Sequence, residues 1–248
     1  MSAAIIKHLG NVDPVMKQLI AAAGPFAIET REEHSSFETL ARAIAHQQLN
    51  GKAAQSILNR FVSICGRGVF PAPEALLGLE DAALRAAGFS FSKIAALRDL
   101  AAKTLSGIVP QREHLHTLDN IEIIERLTAV RGIGRWTVEM LLIFRLGRTD
   151  VLPVDDYGVR KGFAKMKKLA DLPKPKELAA YGEKWKPHRS VAAWYLWRAA
   201  EMKDLPMVGE AAKKAAVRVA AKAEGKNAVV KAAAKAKRVT VKKKRSSH

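Results

Sequence analysis

The chain has 248 residues, with 42 Lys and Arg against 24 Asp and Glu and a formal net charge of +18. That balance favours a polyanionic partner through phosphate neutralisation and counterion release. A single cysteine, Cys65, excludes an intrachain disulfide, a cysteine-rich zinc site and a cysteine-ligated iron–sulfur cluster, and no apolar run approaches the ~18 residues of a membrane span.

The apolar stretch within Met1–His8 is too short for a secretory signal, so a cytoplasmic protein is expected, at the nucleoid if the source is bacterial. Ser35 and Glu38 have the spacing of a capping box ahead of Phe37, Leu40, Ala41, Ile44 and Ala45, which recur at helical intervals. Gln48 continues that face, either as a satisfied core amide or as a site-lining one. A second helix runs from Lys52 to Cys65 with Ala54, Ile57, Leu58, Phe61 and Val62 inward, and Cys65 reads there as a small buried hydrophobe. After Pro71 and Pro73, short helices are expected over Glu74–Leu79 and over Asp81–Ala87, the latter ending at Gly88. Phe89-Ser-Phe-Ser-Lys93 reads as a loop before a helix of Ile94, Leu97, Leu100, Ala101 and Leu105, closed by Gly107 and Pro110.

Helices over Leu118–Thr128 and Arg135–Leu146 flank Gly132 and Gly134, which suit a turn where one helix stops and another begins. The second helix opens with bare N–H groups and a positive dipole end, a place for a phosphate. Pro153 discourages helix just before Asp155 and Asp156, so carboxylates lie near that phosphate, a combination that points to chemistry on nucleic acid. The residues alone do not choose between the two aspartates. Tyr157–Met166, Pro173–Trp185 and Ser190–Glu201 are helical in pattern, and no stretch alternates persistently enough to require a sheet, so the fold class is all-α. From Ala211 to His248 there are 13 Lys and Arg against one acid, Glu224. This Ala/Lys-rich tail has little to bury and is expected to be a disordered basic arm, leaving 1–210 as the folded domain.

Three segments together resemble a known family: Val130-Arg-Gly-Ile-Gly-Arg-Trp-Thr137, Leu152-Pro-Val-Asp-Asp-Tyr157 and Trp185-Lys-Pro-His-Arg-Ser-Val-Ala-Ala-Trp-Tyr-Leu-Trp197. In order and spacing they are similar to the motifs of helix-hairpin-helix (HhH-GPD) base-excision DNA glycosylases of the DNA-3-methyladenine glycosylase II branch, over Phe37 to Trp197. The resemblance implies two helical subdomains flanking an active-site cleft. It puts the catalytic carboxylate at Asp156, to stabilise the positive sugar that develops as the base departs and to orient or deprotonate the attacking water. Asp155 is then structural, a cap for the helix beginning near Tyr157.

The same resemblance implies phosphate contact by the N–H groups of Gly132, Gly134 and Thr137. The carbonyls of Thr128, Val130 and Ile133 are implied to hold a structural Na+ or K+ beside the DNA, with no cofactor required. Trp136 and Trp197 become walls of a base pocket that also takes in Met140 and Gln48, while Trp185 and Trp194 read as core. Met140 stands where a family member has tyrosine, which makes the pocket less aromatic. Phe91 aligns with the residue that fills the gap left by a flipped base, although as a residue it reads equally as core. Trp136 occupies the place of the lysine that forms a Schiff base in strand-cutting relatives; indole cannot, so water is the nucleophile. A family member carries an N-terminal sheet domain for which this chain has no room. The expected protein is a monomeric, monofunctional glycosylase that flips alkylated purines such as 3-methyladenine from double-stranded DNA and leaves an abasic site. The rival is a non-catalytic helix-hairpin-helix DNA-binding or nucleoid-associated protein.

Overall fold

Short polar side chains mark where many of the helices begin. In the computed structural model, which describes residues 3–28 and 34–203, the Asp13 carboxylate accepts the N–H groups of Val15 and Met16 and so separates α1 (Ala3–Val12) from α2 (Pro14–Ala23). The Ser35 hydroxyl accepts the Glu38 N–H at the start of α3 (Ser36–His46), and Asn50 does the same for Ala53 at α4 (Gly51–Gly66). Only half of the expected capping box forms, because the Glu38 carboxylate turns to Arg42 at 2.7 Å. The short helices α5 (Pro73–Leu77) and α6 (Asp81–Ala87) precede α7 (Phe91–Leu105), capped by Ser90. Then follow α8 (Arg112–Leu115), α9 (Asn120–Thr128) and α10 (Arg135–Phe144). The described residues end with α11 (Tyr157–Lys167), α12 (Pro175–Gly182), a 3-10 turn Glu183–Trp185 and α13 (Arg189–Glu201). The fold is all-α: among the described residues there is no strand, and no helix is long and apolar enough to cross a membrane.

Two cores sit side by side. The first gathers the apolar faces of α3 to α10, with Ile44, Leu58, Phe61, Phe89, Leu97, Leu127 and Leu142 at its centre. The second gathers Leu9, Met16 and Leu19 of α1 and α2 with Val159, Phe163, Trp185, Tyr195 and Leu196 of the C-terminal helices. The pairing of α1 and α2 with the far end of the chain was not readable from sequence. A buried polar contact helps pin it: the indole N–H of Trp185 donates to Asp13, 3.0 Å. Within the second core α11 and α13 lie so close that a Cβ on Gly162 would collide with the Leu196 carbonyl oxygen.

Four local expectations are corrected. Gln48 does not continue the face of α3, since that helix stops at His46 and Gln48 is exposed with φ +58. Phe91 is not in a loop but is the first residue of α7, and it is exposed while Phe89 is core. The helix expected over Pro173–Trp185 is divided into α12 and the 3-10 turn. Trp194 is only half-buried, packing on Phe26 and Tyr195. The basic tail from Ala211 lies outside the described residues.

Candidate active site

The turn between α9 and α10 places the first functional feature. Gly132 has φ +78, a left-handed conformation that a side chain resists. The turn delivers Gly134 as the N-cap of α10 with no side chain capping that helix. The N–H groups of Gly134, Arg135 and Trp136 thus lack an intrahelical acceptor at an exposed helix start, which favours an anion. The Thr137 N–H is not among them, because it donates to the Gly134 carbonyl at 3.0 Å. Any contact of Thr137 with a phosphate therefore falls to its hydroxyl. Arg135, 63% exposed, adds a cation at the same spot and is held by Glu139 one turn on, 2.9 Å. Glu139 itself is 3% exposed. Burial raises its carboxyl pKa, with Arg135 opposing and the charges of Asp155 and Asp156 reinforcing the rise.

Asp156 supplies the second feature. It, and not Asp155, is the N-cap of α11: its Oδ1 accepts the Val159 N–H at 2.7 Å and also the Trp197 indole N–H at 2.8 Å. Its Oδ2 accepts the Trp136 indole N–H at 2.7 Å. Three donors from three helices therefore fix both oxygens of one carboxylate. The cap expected at Asp155 is corrected accordingly, and Asp155 is exposed. The reason is geometric, since Asp156 immediately precedes the first helical residue and reaches the third N–H of the turn.

A cleft of about 610 Å³, within the range of small-molecule sites, is lined by Trp136, the residue that joins it to this carboxylate; Asp156 itself does not line it. Trp136, Met140, Leu141 and Phe144 of α10 form one side, and Thr39, Ala43, His46, Gln47 and Gln48 form the other. Trp136, 51% exposed, is the wall shared by cleft and carboxylate. Trp197 does not line the cleft. It stands behind, half-buried against Phe144 with ring centroids 5.6 Å apart, and its N–H is what reaches the site. Gln48 borders the cleft from an exposed rim, and its neighbour Gln47, which sequence reasoning passed over, donates to the Gly132 carbonyl at 2.7 Å. Phe91 is 68% exposed, so the core reading fails for it, and the Arg85 guanidinium lies 4.7 Å from its ring centre. Thr128 ends α9, and Val130 and Ile133 lie in the turn, where the Val130 carbonyl accepts the Ile133 N–H at 3.0 Å.

Comparison with known proteins places this geometry. Residues 41–188 match the family model described as HhH-GPD superfamily base excision DNA repair protein. The DNA-3-methyladenine glycosylase 1 of Schizosaccharomyces pombe is 43% identical over 198 residues, covering 79% of this chain and 87% of that protein. Among solved structures, the S. pombe 3-methyladenine DNA glycosylase in complex with abasic DNA superposes with a TM-score of 0.71 at 42% identity, over 82% of this chain and 98% of the other. A DNA-3-methyladenine glycosidase from Bacillus halodurans superposes with a TM-score of 0.75 at 34% identity, over 84% and 96% of the two chains.

Proposed function

Because the chain belongs to the HhH-GPD superfamily of base excision DNA repair proteins, we propose that it is a monofunctional DNA glycosylase. It extrudes alkylated purines such as 3-methyladenine from duplex DNA and hydrolyses the N-glycosidic bond, leaving an abasic site in an intact strand. The observation that carries this reading is the carboxylate of Asp156 fixed by three donors, one of them Trp136, which lines the cleft and lies in the first turn of the uncapped helix.

The parts divide the work as follows. The N–H groups of Gly132, Gly134, Arg135 and Trp136 grip a backbone phosphate, with Gly132 also supplying the turn and the Thr137 hydroxyl at the edge. Three uncharged backbone oxygens, those of Thr128, Val130 and Ile133, suit a monovalent cation, Na+ or K+, whose charge would help hold that phosphate; no other cofactor is required. Phe91 enters the step vacated by the flipped base. The base lies in the cleft against the Trp136 ring, with Met140 supplying an apolar, polarizable wall and Gln48 a polar rim. As the bond from C1′ to the base breaks, its electrons leave with the base and positive charge grows on the sugar. The Asp156 carboxylate meets that charge without reorganising, since its donors already hold it in place. Water adds to C1′ and gives up a proton to the same carboxylate.

Trp136 at the position of the lysine in strand-cutting relatives favours water over an amine nucleophile. The protein works as a monomer on cytoplasmic DNA, and its basic tail adds sequence-independent attraction to phosphates. A non-catalytic helix-hairpin-helix binding protein would have no use for a carboxylate aimed by two indoles. The test is release of free base from methylated duplex DNA, with strand breaks appearing only after alkali. Efficient borohydride trapping of an enzyme–DNA adduct would overturn the monofunctional assignment, and no base release at all would overturn the glycosylase.

A further inference from the structure

Lys93, Ala96, Asp99 and Lys103 follow one another along α7 at intervals of three or four residues and so share one face. The Lys93 ammonium donates to the carbonyls of Ala45 and Gln47, 2.7 and 2.9 Å, closing the C-terminal end of α3. Gln47 in turn donates its side-chain amide to the Gly132 carbonyl in the hairpin turn, 2.7 Å. Ala96 packs under that turn, its Cβ 3.5 Å from where a Cβ on Gly132 would lie. The Asp99 carboxylate accepts the Arg131 N–H at 2.7 Å and is itself held by Lys103 at 2.6 and 2.7 Å. The contacts close a circuit from α7 to the end of α3, on to the hairpin turn and back to α7.

Asp99 is out of place on electrostatic grounds. A surface selected only to attract phosphate would not put an acid beside its anion-binding turn. Its hydrogen bond also withdraws the Arg131 N–H from any phosphate. What it achieves is geometric, because it fixes the turn against the helix that begins with Phe91.

We infer that Asp99, Lys93 and Gln47 are positioning residues that set the distance between the phosphate grip at Gly132–Trp136 and Phe91, so that seizing one phosphate delivers Phe91 to the gap left by a flipped base. The inference rests on the glycosylase reading above. The circuit also holds Gln48 at the rim of the cleft, so grip, wedge and pocket edge move as one body.

Affinity of the full chain for a duplex carrying a tetrahydrofuran abasic analogue, against an undamaged duplex of the same sequence, tests this. Plain electrostatics predicts that Asp99→Ala, which removes both the charge and the acceptor of the Arg131 N–H, tightens both complexes, since a negative charge has gone. Positioning predicts the opposite for the abasic duplex, a loss of roughly tenfold, with undamaged binding unchanged or tighter. The charge-neutral Gln47→Ala, at a half-exposed residue and so safe for folding, is expected to show the same selective loss. Combined with Phe91→Ala, either variant should lose less than the product of the single effects, because a misplaced wedge has less to contribute. Asp99→Ala that tightens on both duplexes, or losses that simply multiply, overturn the circuit. A parent protein with no preference for the abasic duplex overturns the glycosylase reading itself, a result distinct from either.

Discussion

Asp156→Asn separates two tasks that share one side chain. The Oδ1 atom caps α11 and receives the Trp197 N–H, while Oδ2 receives the Trp136 N–H. Asparagine caps a helix about as well as aspartate, so the ~1 kcal/mol that a cap contributes is retained, whereas Asp156→Ala loses it. For a chain of this size that cap corresponds to roughly 2–4 °C in melting temperature. The amide can keep its oxygen toward Val159 and Trp197, but its NH2 group then faces the Trp136 N–H, donor against donor. Trp136 is the partner best able to move, being half-exposed. Removal of the charge itself costs a transition-state contact worth about 10²–10³ in rate. The expected outcome is single-turnover base release at saturating enzyme slowed about a hundredfold or more, with the thermal melt of Asp156→Asn near the parent and that of Asp156→Ala a few degrees lower. Binding to abasic duplex should be nearly intact. An Asp156→Asn protein that keeps a tenth of the parent rate, or an Asp155→Asn protein that has lost all of it, would refute the assignment.

Trp136→Phe keeps a ring in the cleft but drops the hydrogen bond to Asp156, so base release should slow by about tenfold, as for loss of one partly exposed bond to a charged group; Trp136→Ala should be slower still, and a Phe variant as fast as the parent would leave Trp136 as a wall only. Glu139→Gln addresses pH. Burial holds the Glu139 carboxyl above its ordinary 4.5, so the folded state keeps its proton to higher pH than the unfolded one. The group's contribution is full below 4.5 and is lost as pH rises through the folded value. Urea midpoints measured across that range should show the stability of the glutamine variant rising relative to the parent as pH increases, and a flat difference would remove the argument. Gly162→Ala forces a methyl group against the Leu196 carbonyl, and overpacking of this kind costs typically about 1–3 kcal/mol. Its melting temperature should fall by several degrees, and an unchanged melt would mean that α11 and α13 can part freely.

Period and punctuation made most of the first core legible. Ser35, Gly88, Gly107 and Gly134 each mark a helix end seen in the structure, Gly132 marks the turn between two helices, and most apolar residues between them face inward as their spacing implies. The structure brings Trp136, Trp197 and Asp156 together, but the wiring among them was not legible. Local spacing carries no trace of an indole 20 or 41 residues away donating to Asp156, or of Asp99 reaching Arg131 32 residues on. The choice of Asp156 over Asp155 came from the family resemblance, and the helix cap then proved to fall on the same residue. Gln48 was misplaced because α3 ends without glycine or proline, on a left-handed glutamine whose conformation the amino-acid type does not announce. Two helices at the start were overlooked although Asp13 followed by Pro14 is a readable helix start; their buried residues find partners at the other end of the chain.

That last arrangement governs the order in which the molecule can be built. Trp185 lies 172 residues after the Asp13 to which it donates, so during synthesis α1 and α2 emerge long before anything exists for them to pack on. The first core, made of consecutive helices α3 to α10, can close as it leaves the ribosome, because its contacts are local. Leu9, Met16 and Leu19 must wait in water until α11 and α13 arrive, and Trp197, the last of the three donors to Asp156, is among the final residues of the second core. A nascent chain therefore completes its hairpin turn well before the Asp156 carboxylate is locked, and truncation anywhere short of α13 leaves the first core joined to exposed apolar helices.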